Sequence, residues 1–325
     1  MIAVVRPGLL CTVQDAGRPG WRAFGMPVAG AMDRLALAAA NLLAGNDPGA
    51  AAVELTLAGG AWRFETPALA ALAGADLSAT LDGAPLAPWS SFLAPAGSTL
   101  AFGAAREGVR AYLAVRGGIA VPPVLGSRST YTRAAVGGLE GRALRAGDRL
   151  PVGHLAGRGP PPLALEPGEV PPCGGSARLR VLLGPQQDRF TEEGLATFSG
   201  TAWKVTPQND RMGYRLDGPP VRLRAGADIL TDPLVPGAVQ VTGNGLPIAM
   251  MVDCHTTGGY AKIATIIGPD LRRLAQARAG DEIRFAACQQ ADAVAALRAE
   301  RAWLDGLARR IDRTARGNGR RRQAR

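Results

Sequence analysis

Three stretches of the chain gather side chains able to hold an anion or activate a carbonyl. Residues 253–262 read Asp-Cys-His-Thr-Thr-Gly-Gly-Tyr-Ala-Lys. They supply a carboxylate (Asp253), an imidazole (His255), two hydroxyls (Thr256, Thr257) and a phenol (Tyr260), with an ammonium, Lys262, at the end. A flexible turn at Gly258-Gly259 would leave backbone amides free to approach an oxyanion. The same residues also suit an ordinary hairpin turn. Residues 208–215 read Gln-Asn-Asp-Arg-Met-Gly-Tyr-Arg and set Asn209, Arg211 and Arg215 around one Gly. That combination fits a carboxylate or phosphate ligand, and equally a charged turn between strands. Residues 12–20, with Gln14, Asp15 and Arg18, form a polar loop ahead of the first helix and alone read as a connector.

Composition sharpens one of these readings. Of 37 basic residues only Lys204 and Lys262 are lysines, so a surviving lysine points to a need for a compact ammonium rather than a planar fork. The Arg excess resembles the codon bias of a GC-rich genome and says little about partners. Formal net charge is +10, but residues 298–325 hold ten Arg against three acidic residues, so the body of the chain is nearly balanced. A basic tail on such a body differs from a basic nucleic-acid face. Cys254 and His255 are adjacent; if residues 250–255 form a strand, they face opposite ways, whereas Asp253 and His255 share a side. Cys254 then reads as a buried thiol more readily than as a metal ligand. The four cysteines (Cys11, Cys173, Cys254, Cys288) show no paired spacing and read as reduced thiols.

Absences narrow the chemistry. Neither lysine follows a Gly, which excludes a P-loop, and neither is flanked by Met, which excludes a biotin-carrier segment. Both histidines, His154 and His255, are isolated, so no metal site is expected, and no G-x-S-x-G elbow occurs. No apolar run reaches the roughly 18 residues of a membrane span, and the opening residues are too short in their apolar part for a signal peptide, which makes the cytoplasm the expected location.

The elements that must position these groups are mostly short strands, as 43 Gly and 25 Pro with 5% aromatics suggest. An Ala- and Leu-rich helix is predicted over 31–44, with Asp33 near its start and Gly45-Asn46 as its stop. Apolar runs predict strands at 109–115, 178–183, 238–242, 247–253, 262–267 and 282–286. Apolar residues at three- and four-residue steps from Val294 to Ile311 predict a closing helix. The resulting division is an N-terminal domain over 1–155, a Pro/Gly-rich linker over 156–176, a C-terminal β-barrel over 177–288 and a helix over 289–312. A disordered basic tail is expected over 313–325. Arg-Ala-Gly-Asp recurs at 145–148 and 278–281, each copy ahead of a final strand. The repeat hints that the two halves are related barrels.

Taken together and in order, these motifs resemble one family. T-V-Q-D-x-G-R-P-G (12–20), G-M-P-V-A-G-A-M-D-R (25–34), A-N-L-L-A-G-N (40–46) and A-A-V-E-L-T (51–56) are similar to its opening. L-G-S-R-S-T-Y-T-R-A (125–134), N-D-R-M-G-Y-R-L (209–216) and T-T-G-G-Y-A-K-I-A-T (256–265) are similar to its middle and end. It is the allophanate hydrolase subunit 2, or biotin-dependent carboxyltransferase-like, family. Its members include the C subunit of bacterial ATP-dependent 5-oxoprolinase and part of the carboxyltransferase region of urea carboxylase. The resemblance implies a mostly β protein with a few helices, built as two cyclophilin-like β-barrel domains. It implies a B subunit of homologous fold and an A subunit of another fold as partners. The implied reaction is ATP-consuming opening of the 5-oxo-L-proline lactam to L-glutamate, active only in the complex and with ATP bound outside any P-loop of this chain. Lys262, Arg211 and the amides of Gly258-Gly259 would meet the developing oxyanion, and Asp15, Asp33 and Asp253 would act as bases or carboxylate partners. Gln14, Arg18, Asn209, Arg215, His255, Thr256 and Tyr260 would line the substrate. Two other readings stand: a biotin-dependent carboxyltransferase subunit, with carrier and carboxylase supplied elsewhere, and a regulatory protein acting with a B-type partner on a sensor kinase. His255, usually Gln in relatives, and Ala261, often Pro, depart from the pattern.

Overall fold

In residues 10–14 the apolar Cys11 and Val13 alternate with Thr12 and Gln14, a period of two that makes a strand with one apolar and one polar face. The computed structural model describes residues 1–157 and 159–323, with side chains described through residue 315. The chain divides into two units. Unit 1 comprises Met1–Gly17, Asp33–Cys173 and Glu300–Arg325; unit 2 comprises Arg18–Met32 and Gly174–Ala299.

Unit 1 contains β1 (Ile2–Arg6), β2 (Leu10–Gln14), α1 (Arg34–Leu43), β3 (Ala52–Thr56), β4 (Ala61–Phe64), β5 (Ala68–Asp76) and β6 (Thr80–Leu81). It continues with β7 (Ala84–Pro85), β8 (Ser90–Ala94), β9 (Thr99–Ala101), β10 (Glu107–Val115) and β11 (Arg149–Leu150). Six strands form one sheet in the order β11-β1-β4-β9-β6-β7, and five form another in the order β2-β3-β10-β5-β8. Val13, Val53, Leu72 and Leu113 from the second sheet share one core with Ile2, Trp62, Phe64 and Leu100 from the first. Burial of such side chains, worth roughly 1.5–3 kcal/mol each, holds the two sheets together. The polar face of β2, β3 and β10 carries a register row of Thr12, Glu54 and Tyr112. All three are buried. The helix predicted over 31–44 runs Arg34–Leu43, and Asp33 is its N-cap, accepting from the Ala36 amide at 3.0 Å.

Unit 2 is built on β12 (Ala177–Leu183), α2 (Glu192–Gly200), β13 (Trp203–Asn209), β14 (Gly213–Asp217), β15 (Asp228–Pro233) and β16 (Ala238–Val241). It is completed by β17 (Pro247–Met250), β18 (Thr257–Tyr260), β19 (Lys262–Ile266), α3 (Gly268–Ala275), β20 (Glu282–Ala287) and the start of α4 (Gln290–Gln323). Seven strands close a barrel in the order β12-β19-β16-β17-β14-β13-β20, shut by the parallel pairing of β20 with β12. Leu179, Val181, Trp203, Tyr214, Val239, Ile263 and Phe285 fill it. β15 and β18 pair separately as a two-stranded ribbon. The fold is thus mostly β with a few helices.

The Arg-Ala-Gly-Asp repeat builds one turn twice. At 145–148 the Gly147 amide donates to Val4 O at 2.8 Å, and the Arg145 amide donates to the Asp148 carboxylate at 2.7 Å. At 278–281 the Gly280 amide donates to Val205 O at 2.8 Å, and the Arg278 amide donates to Asp281 at 2.7 Å. Each turn delivers a strand to the edge it pairs with.

Several expected boundaries move. The segment expected as a linker over 156–176 lies mostly in unit 1, because the Ser91 amide donates to Leu163 O at 2.8 Å and the Leu165 amide to Trp89 O at 3.1 Å. Proline stops regular pairing at 160–162, yet the residues that follow still dock on β8. Residues Arg18–Met32, which begin just past the end of β2, belong to unit 2. The closing helix continues beyond Asp312 to Gln323, past the point where the apolar periodicity ends. Within unit 1, Trp303 of α4 packs edge-on against Trp89 at 6.0 Å, and Arg310 pairs with Glu169. The side chains of 316–325, most of the basic tail, lie outside the described residues.

Candidate functional site

In unit 1 the end of β2 is stitched to residues 127–130. The Asp15 carboxylate accepts from Ser127 Oγ at 2.6 Å, Ser129 Oγ at 2.5 Å, the Arg128 amide at 2.6 Å and the Gly17 amide at 2.8 Å. Gly17 has φ 90°, which lets its amide turn back onto Asp15. Gln14 Nε2 donates to Thr130 O at 3.1 Å. Four donors leave Asp15 as a clamp that ties the T-V-Q-D segment to the L-G-S-R-S-T segment. Tyr112 OH donates to Glu54 Oε2 at 2.7 Å and accepts from the Asp33 amide at 2.8 Å. Burial, reinforced by the Glu54 and Asp33 charges, holds the Tyr112 phenol well above its ordinary value. Glu54 and Tyr112 escaped the sequence reading, although a carboxylate inside the apolar run 51–56 was the available signal.

In unit 2 Arg211 and Asp253 come together. Nε and Nη2 of Arg211 donate to the two Asp253 oxygens at 2.9 and 3.0 Å, and Nη2 also donates to Gly30 O at 2.6 Å. The pair is buried, so the fork fixes residues 251–254 against residues 29–30 within this unit. Arg18 is also buried here, its amide donating to Val28 O at 2.8 Å. Arg22, which sequence reasoning missed, donates to Leu234 O and, at 3.3 Å, to His255 O.

The strand expected through His255 ends at Met250, and residues 251–256 turn. The period-two argument therefore fails there: Asp253 and Cys254 are buried while His255 is exposed, so Asp253 and His255 do not share a side. Burial pushes the Cys254 thiol up, with Arg22 opposing. Gly258-Gly259, expected as a turn, is instead the middle of β18. A Cβ on Gly258 would lie 2.7 Å from both Gln240 Nε2 and Leu234 Cδ1, so glycine here serves close packing within a strand, and a larger residue would push both side-chain ends aside.

Beneath the β15–β18 ribbon, Gln240 of β16 stands opposite Lys262 of β19. The Lys262 ammonium pairs with Asp232 of β15 and donates to Pro233 O at 3.0 Å. Gln186 completes the group: its Oε1 accepts from the Lys262 amide at 3.1 Å and its Nε2 donates to Asp232 at 3.2 Å. The Lys262 hydrogen bond holds the Asp232 carboxyl below its ordinary range. Gln240 Nε2 donates to Tyr260 O at 3.2 Å, while Thr256 O accepts from the Leu234 amide at 2.9 Å. This group offers a buried cation and two amides to a small anion. Arg215 lies apart, pointing outward between the barrel residues Tyr214 and Leu216, and Asn209 Nδ2 bonds locally to Thr206 O at 2.5 Å. Among the described residues no cluster of three His, Cys, Asp or Glu side chains could hold a metal, and no helix is long and apolar enough to cross a membrane.

Known proteins share this arrangement of chain. Over 313 residues the chain is 41% identical to the C subunit of 5-oxoprolinase from Escherichia coli (strain K12), covering 96% of this chain and 99% of that one. It is 33% identical to the urea amidolyase of Saccharomyces cerevisiae, over 87% of this chain but 16% of the amidolyase. The crystal structure of the Kluyveromyces lactis urea carboxylase superposes with a TM-score of 0.88 at 30% identity, over 94% of this chain and 29% of that one. TTHA0988 superposes at 0.80 with 37% identity over 88% of this chain, which spans about half (55%) of that longer chain. Residues 24–287 match the carboxyltransferase domain, subdomain A and B, and the chain belongs to that family.

Proposed function

We propose that the chain is the C subunit of an ATP-dependent 5-oxoprolinase, working with A and B subunits to open 5-oxo-L-proline to L-glutamate. The observation carrying this reading is end-to-end identity of 41% with the C subunit of a 5-oxoprolinase, covering 99% of that relative. An unstrained lactam is a poor electrophile, so its carbonyl needs activation by ATP and its developing oxyanion needs donors. Lys262 is the cation that meets substrate, with Gln240 opposite it in register and Asp232 and Gln186 bonded to it. Arg211 and Asp253 hold the adjoining 251–254 loop, while Asp15 and Asp33 hold the framework of unit 1. Neither lysine stands in a phosphate-binding loop, since Lys204 lies in β13 and Lys262 in β19; we assign ATP to the assembled complex.

The test is reconstitution. 5-Oxoproline should turn over, with ADP release, only when this chain, the A subunit, the B subunit and ATP are all present. Turnover by the isolated chain, or undiminished turnover when it is omitted, refutes the proposal. Biotin-dependent carboxyl transfer is the second reading, favoured by the TM-score of 0.88 to a urea carboxylase. Bicarbonate- and biotin-dependent turnover of urea without 5-oxoproline hydrolysis would establish it instead.

A further inference from the structure

The Lys262 ion pair is asymmetric. The Lys262 side chain is 6% exposed, whereas that of its partner Asp232 is 40% exposed. An ammonium so placed needs an anion, because a buried charge left uncompensated is strongly unfavourable. The carboxylate can leave it readily, since Asp232 already stands half in water. Two donors converge on that carboxylate: the Lys262 ammonium and Gln186 Nε2, at 3.2 Å. Ammonium plus primary amide is a recognition set for one carboxylate, and a ligand carboxylate entering from solvent would inherit both.

The strand bearing Asp232 is irregular at this place. Asp228 pairs with Tyr260 and Asp232 with Gly258, so four steps along β15 match two along β18. Such bulges re-aim a side chain, and here the re-aimed chain is the carboxylate on Lys262. Leu230, within the irregular stretch, is 93% exposed, so no packing of its side chain fixes the ribbon there.

The geometry points to Asp232 as a built-in stand-in for a small carboxylate ligand, which displaces it from Lys262 and Gln186 on binding. This rests on Lys262 being the cation of the proposed substrate site, and it names the substrate group that Lys262 takes: a carboxylate. No covalent step is involved, only exchange of one carboxylate for another.

An intramolecular competitor acts at millimolar effective concentration or above, so removing it should tighten ligand binding by about tenfold or more. The chain's two lysines make this directly readable. With 13C at lysine Cε, acetate titrated against ionic-strength-matched chloride should move the Lys262 signal saturably and leave the exposed Lys204 signal in place. In Asp232→Asn the same titration should saturate at an acetate concentration about tenfold lower or less, and acetate should raise its melting temperature more than that of the wild type. An unmoved Lys262 signal in the wild type overturns the proposal, as does an Asp232→Asn variant binding acetate no more tightly. If Asp232→Asn fails to fold, the wild-type titration decides alone. The readout uses the chain without partners or ATP, so failed 5-oxoproline turnover and failed carboxylate exchange remain separate results.

Discussion

Replacing Asp253 by Ala isolates the buried fork of unit 2. In the wild type both Asp253 oxygens accept from Arg211, at 2.9 and 3.0 Å, with side chains only 8% and 4% exposed for Arg211 and Asp253. Removing one partner of such a pair leaves a charge in a site built for two, at a cost of about 3–5 kcal/mol. The bond from Arg211 to Gly30 O does not offset this, because it exists in both proteins. For a unit of this size each kcal/mol moves the melting temperature by roughly 2–4 °C, so a fall of about 6–20 °C is expected. Circular dichroism melting at pH 7 reads it. Replacing both partners, Arg211→Met with Asp253→Leu, removes the stranded charge and should recover most of the loss. A single variant within about 1 kcal/mol of wild type refutes the reasoning, as does a double variant no better than the single.

Tyr112 makes unit 1 sensitive to alkali: its phenol is held above the ordinary value near 10 when folded, so the unfolded chain releases the proton first and stability falls as pH rises past about 10. Melting temperatures from pH 9 to 11.5 should show that fall in the wild type and a flatter profile in Tyr112→Phe, whose baseline is lower by about 1–3 kcal/mol for the lost Glu54 and Asp33 hydrogen bonds. Burial pushes the Cys11 thiol up to about 11 and raises Cys254 and Cys288 as well, so a thiol reagent at pH 8 should label native protein slowly. The half-buried Cys288 should react first, and all four cysteines after unfolding; rapid labelling of Cys11 would contradict its placement. Gly258→Ala should cost about 1 kcal/mol, because its Cβ would lie 2.7 Å from the Gln240 amide and a Leu234 methyl and push both aside; an unchanged denaturation midpoint would show that the ribbon packs more loosely.

Local pattern carried much of this fold. The helix over 31–44 was readable because Ala and Leu propensity, an Asp cap and a Gly stop agree, and it runs Arg34–Leu43. Apolar runs with turn signals placed β10, β12, β16, β19 and β20 to within about two residues. Long-range pairing was not readable. Nothing in residues 18–32 tells that they join unit 2, since that depends on an Arg211 fork reaching Gly30 across 181 residues. Lys262 stood out through composition, yet Asp232 and Gln186, which hold it, lie 30 and 76 residues away in stretches with no motif. The Gly258-Gly259 pair misled because glycine serves both turns and close packing, and only Gln240 and Leu234 across the ribbon decide which.

The account depends most on Lys262 as the cation that meets substrate. Lys262→Gln in the reconstituted three-subunit enzyme, with assembly checked by size-exclusion chromatography, measures that role directly. Half-exposed Asp232 can rehydrate once its partner is gone, so binding to the other subunits should remain at the wild-type level. Loss of an ion pair to the substrate carboxylate should lower kcat/KM for 5-oxo-L-proline on the order of tenfold to a thousandfold. A correctly assembled Lys262→Gln enzyme that turns over 5-oxoproline at the wild-type kcat/KM would contradict the assignment.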